Sequence, residues 1–202
     1  ILFGAATLLA VCGRGWRAFR HFTLAMMPVI VVCGFLLPSV APVHSQTLIL
    51  ATGITVWTAT LLFMTAWITR SVKMFYTARA ATWIAIGIGV LAFLLRWKES
   101  YAMGSGVGHI PVSNLYEVFL VFILLTSSIM LYLIDAFDTP ELAAFAMPVV
   151  SAATGFLFWY GAARGAGSIE PLIPALQSYW MKLHVPANFI AYGAFSIAAT
   201  SS

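Results

Sequence analysis

The side chains best placed to do chemistry fall on one short stretch near the C-terminal end. Met181, His184, Asn188 and Ala191 recur at steps of three or four, so they share one face of a helix. An imidazole and a carboxamide at a membrane boundary must face protein or a water-filled cleft, because lipid offers them no partner. A lone histidine does not define a metal site, so two readings stand for His184: a ligand, or a hydrogen-bonded interfacial side chain. His44 and His109 sit in loops beside Pro or Gly and are weaker candidates, and His21 follows three arginines as part of a basic face. Cys12 and Cys33 are embedded in apolar segments with no C-x-x-C pair, which makes them packing residues. Gly104, Gly106 and Gly108 lack the preceding strand and following Lys-Ser/Thr of a phosphate loop and read as a flexible connector. Arg96 and Lys98 border a helix end, where snorkelling explains them. No carboxylate pair, Ser/His/Asp set or inward-facing acid relay is visible, which argues against a hydrolase or a proton-coupled pump.

The elements that must carry these groups follow from composition. With 62% hydrophobic and only 8% charged residues in 202, the chain lacks the polar groups to cover a water-soluble surface, and the lipid bilayer is its solvent. The net charge of +4 reflects loop topology and not nucleic-acid binding. An all-α polytopic membrane protein with about seven transmembrane helices follows, since only helices satisfy their backbone within single spans of lipid. The apolar runs predict them at 1–12 (incomplete), 22–40, 47–68, 80–95, 114–134, 140–160 and 183–200. The first run lacks the charged start and cleavage site of a secretory signal. The chain begins at Ile1 and stops within an apolar run, so it is expected to be a piece of a longer protein.

Basic residues set the expected orientation. Arg14, Arg17 and Arg20 crowd one loop and Arg70, Lys73 and Arg79 another, which places both on the cytoplasmic side together with the 135–139 turn. The loops at 41–46, 96–113 and 161–182 then lie outside, with His44, His109 and His184. Asn114 and Glu117 form an N-x-x-E capping box, and Thr139-Pro140-Glu141 an N-cap followed by a first-turn proline and acid. After the flexible GAARGAG stretch, Leu172, Ile173, Leu176, Tyr179 and Trp180 alternate with Glu170, Gln177 and Lys182. This pattern predicts a short amphipathic helix at the outer membrane surface, leading directly into His184.

Two strings carry a likeness. GHIPVSNLYE at 108–117 and PALQSYWMKLHVPANFIAYGAF at 174–195 closely resemble signatures of the CcsA/ResC family of cytochrome c biogenesis proteins, within the haem-handling superfamily named for its tryptophan-rich WWD segment. The resemblance is strong over 96–200, weaker over 47–95 and absent over 1–46. It therefore divides the chain into N-terminal helices at 1–46 outside the likeness and a CcsA-like membrane domain at 47–202, truncated before the tryptophan-rich segment.

The resemblance implies a membrane component of a cytochrome c haem-attachment machine. His184, in the family's L-H-V context, would be one axial ligand to haem b at the outer face, the other being a second histidine outside this sequence. Without that histidine and the WWD segment, the fragment is expected neither to hold haem tightly nor to complete the chemistry. Asn188 would orient the imidazole or a propionate, Trp180 and Tyr179 would stand near the porphyrin edge, and Lys182 or Arg164 would pair with a propionate. A ResB/CcsB-like membrane partner and apocytochrome c are the implied partners. The location would be the cell inner (plasma) membrane, or the thylakoid membrane in a plastid. Two readings from other classes stay open at this point: a non-catalytic export or scaffold protein, and a membrane cytochrome that only passes electrons.

Overall fold

A computed structural model of the chain describes residues 44–103, 108–171 and 180–201. They form five helices, α1 (Ser45–Thr69), α2 (Val72–Ala102), α3 (Leu115–Phe137), α4 (Leu142–Arg164) and α5 (Met181–Ser201), with no strand among the described residues. Four of them, α1 to α4, are long and apolar enough to cross a membrane. The spans expected at 1–12 and 22–40 and most of the expected interfacial helix lie outside the described residues, as do His21, Cys12, Cys33, Gly104, Gly106 and Tyr179.

Most helix ends follow the apolar runs, but α2 does not. It begins at Val72 and ends at Ala102, well beyond the 80–95 run, because charged residues end the run without ending the helix. Ser71 caps it, its hydroxyl accepting from the Met74 N–H, straight after a tight turn in which Arg70 adopts a left-handed φ of 52°. At 31 residues α2 is about 46 Å long, against a hydrocarbon core of about 30 Å. Lys73 and Arg79 at one end, and Arg96, Lys98 and Glu99 at the other, are helical residues and not loop residues.

The start of α4 also differs from expectation. The helix starts at Leu142 with Glu141 at the N-cap position and no side-chain cap. Thr139, Pro140 and Glu141 instead offer their carbonyls to the Leu142, Ala143 and Ala144 N–H groups in a tightened entry turn. Glu141 turns outward to pair with Arg70 at 3.1 Å, and Arg79 pairs with Asp135 at 2.7 Å on the same end of the molecule.

The first four helices form a square in which α1 touches α2 and α4, and α3 touches α2 and α4; α5 packs outside it against α3 and α4. Lipid tails give no hydrophobic reason for helices to associate, so close packing must hold them together. Small side chains such as Ala59, Ala78, Ala85, Ala92, Ala143 and Ala146 let backbones approach between the larger Phe63, Met130, Leu131 and Met147. The hydroxyls of Thr52, Thr55, Thr58, Thr60 and Thr65 each donate to the carbonyl four residues back, so α1 satisfies these hydroxyls within itself. Gly193 seats α5: a Cβ there would lie 2.8 Å from the Thr126 hydroxyl of α3.

Short turns join the helices at one end of the square. At the other, Gln46 near the start of α1 meets Gly167 just after α4 and Tyr116 of α3.

Candidate functional site

The long-loop end is organised around a buried ion pair. Arg96 of α2, 1% exposed, donates from Nε to Glu117 Oε1 of α3 at 2.8 Å. Taking two charges out of water is costly unless every remaining donor and lone pair is also met. Here they are met. Arg96 Nη1 donates to the Gly167 carbonyl at 2.9 Å and Nη2 to the Ser168 carbonyl at 3.2 Å, while its guanidinium lies 5.4 Å from the Tyr116 ring centroid. The other Glu117 oxygen accepts from the Ser113 N–H at 2.9 Å and the Ser113 hydroxyl at 2.7 Å. Arg96 is thus no snorkelling residue. Asn114 accepts from the Glu117 N–H at 2.9 Å as a capping box requires, but the Glu117 carboxylate returns to the N–H of Ser113, one residue before the cap, and it also serves a tertiary role that its local spacing does not reveal.

His109 joins the same network. It is 7% exposed, with Nε2 2.9 Å from the Ser113 hydroxyl. That hydroxyl has a single proton and gives it to Glu117, so it must accept from His109, whose Nε2 therefore carries hydrogen. Ser100 fixes the histidine backbone, its hydroxyl donating to the His109 carbonyl at 2.9 Å and accepting from the His109 N–H at 3.2 Å. A continuous chain of hydrogen bonds runs from His109 through Ser113 and Glu117 to Arg96.

The connection after α4 is held by its own backbone. Gly165 turns the chain with a φ of 63°, where a side chain would be strained. The next three carbonyls each accept from a side chain of another helix or its cap. Asn114 donates to Ala166 at 3.3 Å, Gln46 and Arg96 both donate to Gly167, and Arg96 donates to Ser168. Gln46 is steadied in turn by the Tyr116 hydroxyl at 2.7 Å. Residues 165–168, expected to be flexible, are pinned. Backbone carbonyls leave no mark in a sequence, so the only available signal was an Arg and a Glu standing at apolar helix ends.

His184 lies beyond this network, exposed in the first turns of α5, with its N–H bonded to the Trp180 carbonyl at 2.8 Å. Asn188 is four residues on, and its carboxamide nitrogen is 2.8 Å from His184 Nε2, so the shared helix face is realised as a direct bond. Trp180 is 74% exposed beside it. Pro186, just after the histidine, removes the N–H that would bond the Lys182 carbonyl. His44 is exposed at the start of α1 and makes no side-chain cap bond; Ser45 takes Glu99 of α2 instead, its N–H donating at 2.8 Å. Among the described residues no group of three or more His, Cys, Asp or Glu side chains is arranged to hold a metal ion.

Below His184 an aromatic series joins three helices. Tyr160 stacks on Phe156 at 5.7 Å, and Phe156 meets Phe119 of α3 at 4.4 Å. Phe119 leads to Phe122 at 6.1 Å, Phe122 to Phe189 of α5 at 6.3 Å, and Phe189 to Tyr192 at 5.5 Å. This series was not singled out from the sequence, where scattered Phe residues are indistinguishable from ordinary packing. Trp57 packs edge-on against Phe158 and donates to the Ser151 carbonyl at 3.2 Å, which accounts for its place in α1.

Comparison with known proteins adds a family. Residues 112–202 match the model of the cytochrome C assembly protein family. The chain is 33% identical over 109 residues to the cytochrome c biogenesis protein CcsA of Prochlorococcus marinus (strain NATL2A), covering 54% of this chain and 32% of the relative. It is 32% identical over 110 residues to the protein of the same name from Synechococcus sp. (strain CC9605), covering 54% of this chain and 33% of that one. The corresponding protein of Chlorella vulgaris is 32% identical over 106 residues, 52% of this chain and 30% of the relative. The chain thus spans about a third of the length of these curated relatives. No solved structure matches it.

Proposed function

We propose, from the match of residues 112–202 to the cytochrome C assembly protein family, that the chain is part of a membrane machine that attaches haem to apocytochrome c. Its 47–202 segment forms the haem-handling membrane domain, and the long-loop end is the working face, outside the cytoplasm, on the inner (plasma) membrane of a bacterium or the thylakoid membrane of a plastid. Haem b is the cargo. His184 supplies one axial nitrogen and a histidine outside this sequence supplies the other.

The observation that carries this reading is the His184–Asn188 bond at an exposed helix start within the family-matched segment. A carboxamide nitrogen can only donate, so Nε2 of His184 is an acceptor and the ring proton is on Nδ1. In that tautomer the ε lone pair is the one that ligates iron. That lone pair would serve one axial position of the haem. Trp180, and Tyr179 beside it in sequence, would stand against the porphyrin edge. Held haem supplies two vinyl groups to which the paired thiols of a C-x-x-C-H segment add. In each addition the sulfur bonds one vinyl carbon and the thiol proton goes to the other, with no net oxidation. This chain's part is to fix and orient, so that a bimolecular addition becomes a local one. A ResB/CcsB-like membrane protein is the partner in that assembly.

The test is the haem content of the full-length protein, purified with its partner, as wild type and as His184→Ala. The expected result is haem in the wild type, loss or altered ligation in the variant, and failure of cytochrome c maturation. Equal spectra and equal maturation in both would refute the assignment.

A further inference from the structure

At the short-turn end, α3, α4 and α5 do not close on one another. Gly193 brings α5 against Thr126 of α3, but beyond that contact the small Ala194 and Ala198 share a gap with Leu142 and Phe145 of α4. The gap is a cavity of about 790 Å³, walled by Ile129, Leu133, Leu142, Phe145, Ala194 and Ile197. It follows α3 from Ile129 to Phe137, a rise of about 12 Å. Phe137, Phe145 and Ala194 on its walls are exposed, and α3 and α4 are both long and apolar enough to cross a membrane, so the cavity opens sideways to lipid.

Water is a poor occupant of this space. A bound water needs polar partners, and none of the six wall side chains offers one. Left empty, the cavity would forfeit the dispersion contacts of its whole lining. A lipid tail is as apolar as these walls and surrounds them already.

The mouth adds a charge of one sign. Asp138 and Glu141 both stand on it. Glu141 is paired with Arg70, whereas Asp138 has no ion-pair partner among the described residues. Asp138 also caps the end of α3, where the helix dipole is negative. A backbone bond onto the Ala66 carbonyl closes the end of α1, but no such bond closes α3 among the described residues, so its last carbonyls remain as acceptors. At the start of α4, the N–H groups that would attract an anion are taken by the Thr139, Pro140 and Glu141 carbonyls. The mouth therefore suits a cation that can donate hydrogen bonds.

We propose that this cavity binds a membrane lipid with an amine-bearing head group, an acyl chain lying between α3, α4 and α5 and the ammonium at Asp138. The lipid site is independent of the haem-ligand reading above.

The experiment uses the full-length protein in detergent, supplied with dioleoyl phosphatidylethanolamine or dioleoyl phosphatidylglycerol, as wild type, Asp138→Asn and Ala194→Phe. Native mass spectrometry counts the lipid retained, and thermal unfolding reports the fold. The wild type should retain the ethanolamine lipid over the glycerol lipid by roughly fivefold, the scale of one exposed charge contact, and high salt should erase the preference. Asp138→Asn should bind both lipids without preference. Ala194→Phe should lose both roughly tenfold, the scale of forcing a side chain into occupied space. Equal retention of the two lipids by the wild type would overturn the head-group assignment. A folded Ala194→Phe protein that retains as much lipid as the wild type would overturn the site, and would mean that another part of the full-length protein fills the cavity. Should Ala194→Phe not fold, Asp138→Asn at its exposed turn still decides, because a preference that survives there removes the charge complementarity.

Discussion

The carboxamide nitrogen of Asn188 lies 2.8 Å from Nε2 of His184, one helical turn away on α5. On the proposed reading the carboxamide donates to Nε2, which leaves the ring proton on Nδ1. For the proposed haem ligand, binding then means displacing a single weak donor.

Substitution at position 188 should therefore be ordered by hydrogen-bond sense and not by size. Asn188→Ala leaves the ring free to choose its tautomer and should lower haem retention only modestly. Asn188→Asp is nearly isosteric but can only accept, so it favours a proton on His184 Nε2 and blocks the lone pair. Haem retained per protein should fall roughly tenfold or more in the Asp variant, the scale typical for groups that orient a metal-ligating histidine. Absorption of the purified variants measures this. Retention by the Asp protein equal to or above that of the Ala protein would contradict the tautomer assignment.

The ion pair should show the asymmetry of buried charges. Glu117→Leu alone strands the Arg96 guanidinium in a site that is 1% exposed, and should cost about 3–5 kcal/mol in detergent unfolding. Adding Arg96→Leu should recover most of that loss. A single variant as stable as the double would mean that water reaches Arg96.

How far the sequence could be read divides along the same line. Helices α1 and α3 fall within a few residues of their apolar runs, because a run of that length in lipid has one solution and its caps are local. The His184–Asn188 contact was legible too, as a four-residue step on one helix. Arg96 and Glu117 were each explained locally, one as a snorkelling cation and the other as a cap. Their union spans two helices and completes itself on backbone carbonyls, which no residue type announces. The extension of α2 was missed for a related reason: hydropathy marks where lipid ends, while the helix continues into the polar layer as long as partners such as Ser45 for Glu99 await it.

Ser113 links His109 to Glu117 through one hydroxyl. Ser113→Ala removes the acceptor of the His109 Nε2–H and one of the donors to the carboxylate, though the Ser113 backbone N–H stays in place. A cost of about 1–2 kcal/mol is expected, since buried groups lose their partner without losing their burial. Hydrogen exchange should quicken in 108–113 and remain unchanged in the lower half of α5. Protection unaffected in that loop would place the histidine outside the network.

The seat of α5 offers a test by change of sign. A Cβ at Gly193 would meet the Thr126 hydroxyl at 2.8 Å, closer than side-chain packing permits, and the nearest backbone atom of Thr126 is at 3.5 Å. The Thr126 hydroxyl has no hydrogen-bond partner among the described residues, so removing it forfeits no bond. Alanine is favoured over glycine within a helix by about 1 kcal/mol, whereas forcing a methyl into a filled contact costs about 1–3 kcal/mol. Gly193→Ala should therefore destabilise the wild-type protein and, by tilting α5, disturb ligation at His184. In a Thr126→Ala background the obstructing atom is gone and only the propensity gain remains, so the same substitution should become stabilising. A double-mutant cycle on thermal unfolding would then give a coupling of about 1–2 kcal/mol, in the range for directly touching residues. Additive effects would show that α5 does not rest on Thr126.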